Sequence, residues 1–190
     1  QRRVPSSLRW DLVRLVRKGK VEEIMSSDII FELVTRPDSP FESVHVRIDR
    51  TGEDATQFQY EATWVKQGSI APEICGLLKR TRQRHGDDLE GYVLLLIRFF
   101  AAVKSLDDAG WDRGTSPFLK ARVIRALVRV LADLVSDVQT LESLTAPILR
   151  QKFDAIDVTK LSPKRVRGVQ GSAGVQDLYV TLKRQIMKKA

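Results

Sequence analysis

The sequence predicts an α+β fold, in which a small three-stranded antiparallel meander packs against a larger part of five to six helices. Two patterns lead to this prediction. Apolar and polar residues alternate strictly over residues 56–64, which is typical of a half-buried strand. After Gly68 the apolar residues recur at helical spacing up to the C-terminus. We therefore expect residues 1–68 to hold an N-terminal helix plus the meander and residues 69–190 to be helical, forming one compact unit.

The first elements follow from caps and turns. Pro5-Ser6-Ser7 precedes an amphipathic helix that ends near Gly19, and a short helix is expected over Val21–Met25. Ile29–Thr35 is apolar and rich in β-branched residues, which favours a first strand. A turn containing Pro37 and Pro40 separates it from a second strand over Phe41–Ile48, and residues 56–64 form the third.

The helical part begins at Pro72. Residues 89–106 are apolar nearly all round, so we expect this helix to be central and to touch Leu127, Leu131 and the apolar strand face of Phe58, Tyr60 and Trp64. The remaining predicted helices are Phe118–Val135, a weaker Thr140–Phe153 interrupted at Pro147, and Val175–Lys188.

Charge is sorted along the chain. Residues 1–20 carry seven Lys/Arg and one acid, residues 21–75 carry four and eleven, and residues 76–190 carry 21 and 12. These blocks have net charges of +6, −7 and +9, which sum to the overall +8. A folded surface with two faces of opposite sign is therefore predicted, one for an anionic polymer or membrane and one for a basic partner.

Several classes of protein lack support in the sequence. The two histidines, His45 and His85, have no neighbours that suggest a catalytic triad, and no cluster of metal ligands or phosphate-binding loop is present. We expect no enzyme activity, no cofactor and no metal. The longest apolar run, residues 92–103, is interrupted by Arg98 and is too short to span a bilayer. Residues 1–20 do not resemble a secretory signal, and a first residue of Gln indicates part of a longer chain.

Basic residues recur on the polar sides of the predicted helices and in one loop. Arg122, Arg125 and Arg129 occupy one narrow sector of their helix. The loop Lys160–Arg167 adds a basic cluster. Ser162-Pro163 in this loop resembles a site for a proline-directed kinase, whose phosphate would weaken anion binding. The candidate residues for binding nucleic acid or another anion are Lys79, Arg80, Arg82, Arg84, Arg122, Arg125, Arg129, Lys164, Arg165 and Arg167.

Each pattern also has a plainer structural interpretation. The arginine sector can be a solvated helix face on which Asp133 pairs with Arg129. Residues 123–135 form a basic amphipathic helix that could lie on anionic lipid, although packing inside a bundle explains the same apolar stripe. Trp10 and Trp111 suit either a binding rim or the core.

The function predicted from these patterns is non-enzymatic. The chain is expected to be a structural or assembly protein that binds a polyanion, RNA in a nucleoprotein assembly, through its basic helix faces. The alternative is a self-associating module that joins the acidic meander to basic helices, with peripheral membrane contact. In layout alone, a basic arm, a meander and a helical half resemble the self-assembling matrix proteins of enveloped RNA viruses and accessory proteins of ribonucleoprotein particles. A single cysteine, Cys75, favours an intracellular location in the cytoplasm or nucleus.

Overall fold

The structure, a computed structural model of the chain, describes residues 20–41, 46–47, 65–161 and 171–187. For residues 46–47, 65–69, 159–160 and 171 it describes the backbone but not the side chains. The described residues form seven α-helices and three 3₁₀ segments. The helices are α1 (Val21–Thr35), α2 (Gln67–His85), α3 (Leu89–Lys104), α4 (Asp108–Asp112), α5 (Ala121–Ser136), α6 (Ala146–Phe153) and α7 (Gly171–Met187).

The predicted α+β class is wrong for the described residues, which are all-α. The expected first strand, Ile29–Thr35, is the second half of α1. The described strand structure consists of two residues each in β1 (Val46–Arg47) and β2 (Val65–Lys66). These pair in parallel, with Val46 opposite Val65, whereas an antiparallel meander was expected. Such a short ladder pairs two residues with two others and forms no sheet layer.

Burial explains why α1 is helical. Met25, Ile29, Ile30 and Leu33 are all buried, and their spacing places them on one side of a helix. The β-branched residues favour a strand only weakly, and tertiary packing outweighs that preference. Two acids, Glu22 and Glu23, lie in the first turn, where the helix dipole favours negative charge.

The end of α1 is set by the following proline. Arg36 has an extended backbone, with φ −77° and ψ 133°, as expected for a residue that precedes proline. The predicted turn after residue 35 is present. The predicted N-terminal helix, most of the second strand and all of residues 56–64, with Phe58, Tyr60 and Trp64, lie outside the described residues.

The helical part agrees closely with the periodicity. The predicted helix at residues 89–106 is α3, which buries nine residues and begins at Asp88, whose side chain accepts a hydrogen bond from the backbone N–H of Gly91. The break expected at Pro147 is real, since a 3₁₀ turn precedes α6 and Pro147 lies in its first turn. One helix was missed: α4 lies between residues 106 and 118, where no helix was predicted.

Aromatic residues connect the turn after α1 to the rest of the core. Phe41 packs edge-on against Phe100 of α3, with ring centroids 4.8 Å apart. Trp111 of α4 is only 1% exposed, and its indole N–H donates to the carbonyl of Pro40 at 2.8 Å. Trp111 is therefore a core anchor rather than part of a binding rim.

Helices α2, α5 and α7 lie side by side, with α5 in contact with both others. Their order of contacts is the same along each helix. Glu73 and then Arg80 of α2 bind Arg129 and then Asp133 of α5, so α2 and α5 run parallel. Arg129 and then Asp133 bind Gln176 and then Tyr179 of α7, so α7 runs in the same direction.

Candidate anion-binding face

The predicted basic residues of α2 lie on two different sides of that helix. Arg82 binds the carboxylate of Glu22 in α1 at 2.8 Å and that of Asp87 at 2.8 Å. A backbone hydrogen bond lowers the pKa of Glu22, and Arg82 and then Lys79 lower it further, so Lys79 also lies on the α1 side. Both residues therefore belong to the seam between α1 and α2.

Arg80 and Arg84 lie on the opposite side of α2, against α5. Arg80 donates to Asp133 at 2.5 Å, and Arg84 donates to the backbone carbonyl of Ser136, the last residue of α5, at 2.5 Å. A cation at that position satisfies a carbonyl that has no partner within its own helix. Glu73 shares this side of α2, because spacings of seven and eleven residues return to the same helix face.

Glu73 holds two arginines of α5 with one carboxylate. Arg125 donates through Nε at 2.8 Å, and Arg129 donates through Nε at 2.9 Å and through Nη2 at 3.1 Å. Arg129 also donates through Nη1 to Gln176 of α7 at 3.2 Å. Glu73 is 10% exposed, while the two arginine side chains are about 30% exposed, so the carboxylate lies beneath the cations.

Asp133 has the same role one to two turns further along α5. Its carboxylate binds Arg80 of α2, Lys183 of α7 at 2.9 Å and the hydroxyl of Tyr179 at 2.6 Å. Asp133 is 9% exposed, whereas Arg80 and Lys183 are 46% and 43% exposed. One buried carboxylate thus joins three helices and leaves two cations at the surface.

Both carboxylates are held in the ionised form. Burial raises the pKa of Glu73, but the hydrogen bonds from Arg129 and Arg125 outweigh this effect and leave the pKa below its ordinary value. Burial likewise raises the pKa of Asp133, and the hydrogen bonds from Lys183, Tyr179 and Arg80 bring it below its ordinary value. Each cluster therefore combines one negative and two positive charges at neutral pH.

We call the side of α2, α5 and α7 built around these clusters the cationic face. Arg122 lies on the same side of α5 as Arg125 and Arg129, by helical spacing. The two clusters together combine four cations with two carboxylates, a net charge of +2, and Arg84 and Arg122 lie on the same side. The cations of this face are Arg80, Arg84, Arg122, Arg125, Arg129 and Lys183.

The structure thus brings together half of the ten predicted residues. Lys79 and Arg82 lie on the other side of α2, and Lys164, Arg165 and Arg167 lie outside the described residues. The expected Arg129–Asp133 pair is wrong, because each of these two residues is bonded to α2 and α7 instead. The arginines of this face do remain partly exposed to solvent.

Sequence reasoning missed two members of the face, Lys183 and Glu73. Lys183 was not among the candidate residues, although it lies in the predicted last helix. Glu73 precedes Arg80 by seven residues and Arg84 by eleven, so all three lie on one side of a helix. This spacing was the signal in the sequence that could have identified Glu73.

Other kinds of site were sought in the same residues. Among the residues described, no three His, Cys, Asp or Glu side chains form a group that could hold a metal ion. No helix in the described ranges is both long and apolar enough to span a bilayer. Comparisons with known protein families, curated proteins and solved structures gave no match.

Proposed function

We propose that this protein is a non-enzymatic structural component that binds an anionic polymer, RNA in a nucleoprotein assembly, through the cationic face. One observation carries the proposal: four cations from three adjacent helices lie at the surface above two carboxylates, Glu73 and Asp133, that are buried beneath them. A surplus of positive charge on one side of a fold attracts phosphate without a sequence-specific motif.

An arginine that is paired with a carboxylate still has N–H donors available for phosphate. A guanidinium has five N–H donors, and a carboxylate contact uses one or two of them. Among the described contacts, Arg125 donates through Nε alone and Arg80 donates through Nη2 alone. Their other N–H groups can bind phosphate, and the buried carboxylate limits the side-chain freedom that would be lost on binding.

Self-association is the second candidate from the sequence, and one observation favours it. Helix α1 carries four acids and no Lys or Arg, so a second copy could meet it with its cationic face. Against this, Glu22 already binds Arg82 within the chain. Part of the expected acid–base contact is thus satisfied intramolecularly, which favours an external polyanion.

For the location we propose the interior of the cell, either cytoplasm or nucleus. The chain has one cysteine, Cys75, and therefore no intramolecular disulfide that would need an oxidising compartment. An anionic membrane surface is a further partner that the same face could contact.

The test is a matched pair of charge removals on α2. Arg84→Ala removes a cation from the cationic face, and Lys79→Ala removes one from the α1 side; both side chains are exposed. Binding of a fluorescent single-stranded RNA is followed by anisotropy between about 50 and 200 mM salt. Arg84→Ala should weaken binding and reduce the salt slope by about one unit, while Lys79→Ala should leave both nearly unchanged.

Two results would count against the proposal. If the unaltered protein binds no polyanion at about 50 mM salt, the polyanion function is wrong. If the protein instead grows in size with concentration at low salt, without nucleic acid, the self-association alternative is favoured. Light scattering on the same samples distinguishes these cases.

A further inference from the structure

The cations of the cationic face follow one line. Because α2, α5 and α7 run parallel, contacts to α5 fix the height of each cation along its axis. Arg125 and Arg129 lie at the level of Glu73, and Arg80 and Lys183 lie at the level of Asp133.

This line continues at both ends. Arg84 lies at Ser136, the last residue of α5, and Arg122 lies one turn before Arg125 on the same side. The line therefore extends over 14 residues of α5, or about 20 Å at a rise of 1.5 Å per residue.

We infer that the cationic face is a linear site for a single nucleic-acid strand that lies along α5, and that α7 contributes Lys183 to it. This inference rests on the proposed function and adds the shape of the ligand. A line of about 20 Å matches about six phosphates at the 3.4 Å spacing of a helical strand. A small anion would use one cluster only, and a flat lipid surface would use cations spread in two dimensions.

The two buried carboxylates support a line rather than a patch. Glu73 binds two arginines of α5. Asp133, on the polar side of α5, binds Arg80 of α2 and Lys183 of α7. Cations from three helices are thereby gathered above the central helix. Tyr179 lies in the same row and places its hydroxyl on Asp133, with Lys183 5.5 Å from its ring centre.

The experiment measures how affinity depends on ligand length. Oligoribonucleotides of about two to about twelve nucleotides are titrated with the full chain at low salt. The affinity should rise steeply up to about six phosphates and then increase only slightly, as further length adds only alternative registers. Equal affinity for the shortest and the longest oligonucleotide would overturn the linear site while leaving polyanion binding intact.

A matched pair on α7 tests the contribution of that helix. Lys183→Gln removes a cation from the line, and Arg184→Gln removes one about 100° away around the same helix. Lys183→Gln should reduce the salt slope by about one unit and Arg184→Gln should not. Equal effects of the two changes would mean that net charge alone governs binding, and the inference would be wrong.

Two controls show whether an effect of Lys183→Gln comes from loss of the cation or from unfolding. Urea denaturation of both variants checks that Lys183→Gln has not unfolded α7, and Arg84→Ala removes a second cation of the line while leaving the Asp133 cluster in place.

Binding to vesicles rich in phosphatidylserine tests whether the face binds a membrane instead. Tighter binding to these vesicles than to the longest oligonucleotide would assign the face to lipid and overturn the inference. Failure to bind any oligonucleotide or vesicle would instead remove the proposed function itself.

Discussion

Arg80 and Asp133 are 53 residues apart in the sequence, and their side chains are joined by a hydrogen bond of 2.5 Å between Nη2 and Oδ1. The pair is asymmetric, because the carboxylate is 9% exposed and the guanidinium side chain 46%. Because the carboxylate is buried and the guanidinium is exposed, this contact has two roles. The acid ties α2 to α5, and the base stays accessible to solvent.

Removal of this buried carboxylate should destabilise the bundle. Asp133→Asn keeps the size of the side chain but loses the charge that Arg80, Lys183 and Tyr179 share. We expect the free energy of unfolding to fall by about 1–3 kcal/mol, a value held down because the two cations are partly solvated. Urea denaturation followed by circular dichroism measures it.

The control for that change is Asp87→Asn. Asp87 also pairs with an arginine, Arg82, but its side chain is 61% exposed. An exposed ion pair contributes little, so this substitution should cost less than about 1 kcal/mol. If both substitutions cost the same, burial of the Asp133 carboxylate does not determine its contribution.

Stability should decrease on the acid side. The pKa values of Glu73 and Asp133 lie below their ordinary values of 4.5 and 3.8 in the folded chain. The unfolded chain therefore takes up protons at a higher pH than the folded chain does, and their stabilising contribution is complete only above the unfolded values. We expect the free energy of unfolding to be constant near neutral pH and to fall below about pH 5.

A double variant isolates these two groups in the acid titration. Glu73→Gln combined with Asp133→Asn should be less stable at neutral pH and should lose less further stability between about pH 5 and pH 3. Unfolding curves at each pH for both proteins provide the comparison. Parallel pH profiles would assign the acid sensitivity to other carboxyls.

Apart from the short α4, the helices after residue 68 could be predicted because each buries a stripe at regular spacing, as α3 and α5 do. Ile29–Thr35 was misassigned because a short apolar, β-branched run fits a strand and a buried helix equally well. Extending the period back to Met25 resolves it, since Met25, Ile29 and Leu33 recur every four residues.

The candidate site could be predicted only in part, for a physical reason. The arginines of α5 share a face by local spacing, which the sequence contains. Which acid neutralises them depends on contacts between residues more than 50 positions apart, such as Arg125 with Glu73. Such pairing follows from helix packing and from the parallel arrangement of α2 and α5, which no local pattern encodes.

The helical assignment of α1 has its own test. In a strand with one face on the core, Ile29 and Leu33 would lie on one face and Ile30 on the other, so Ile29 and Ile30 would not both be buried. In the structure Ile29, Ile30 and Leu33 are 0%, 1% and 3% exposed. Ile29→Ala and Ile30→Ala should therefore both cost about 2–5 kcal/mol. A large loss for one and almost none for the other, measured by urea denaturation, would contradict the helix.

The final prediction concerns two arginines with the same partner. Arg129 donates through all three of its side-chain nitrogens, to Glu73 and Gln176, whereas Arg125 donates to Glu73 through Nε alone. Lysine keeps the charge but cannot reproduce a planar, multiple contact. Arg129→Lys should lower the free energy of unfolding by about 1–2 kcal/mol, and Arg125→Lys by less than about half of that.

Polyanion binding provides the second readout for this pair. Both substitutions preserve the net charge, so the salt slope for RNA should stay the same in each variant. Arg129 already donates through three nitrogens within the chain, so Arg125 has more N–H groups left for phosphate. Affinity at a fixed low salt concentration should therefore fall more for Arg125→Lys than for Arg129→Lys, the reverse of the order in stability. The same order in both measurements would mean that Arg125 contributes no more to RNA binding than Arg129 does.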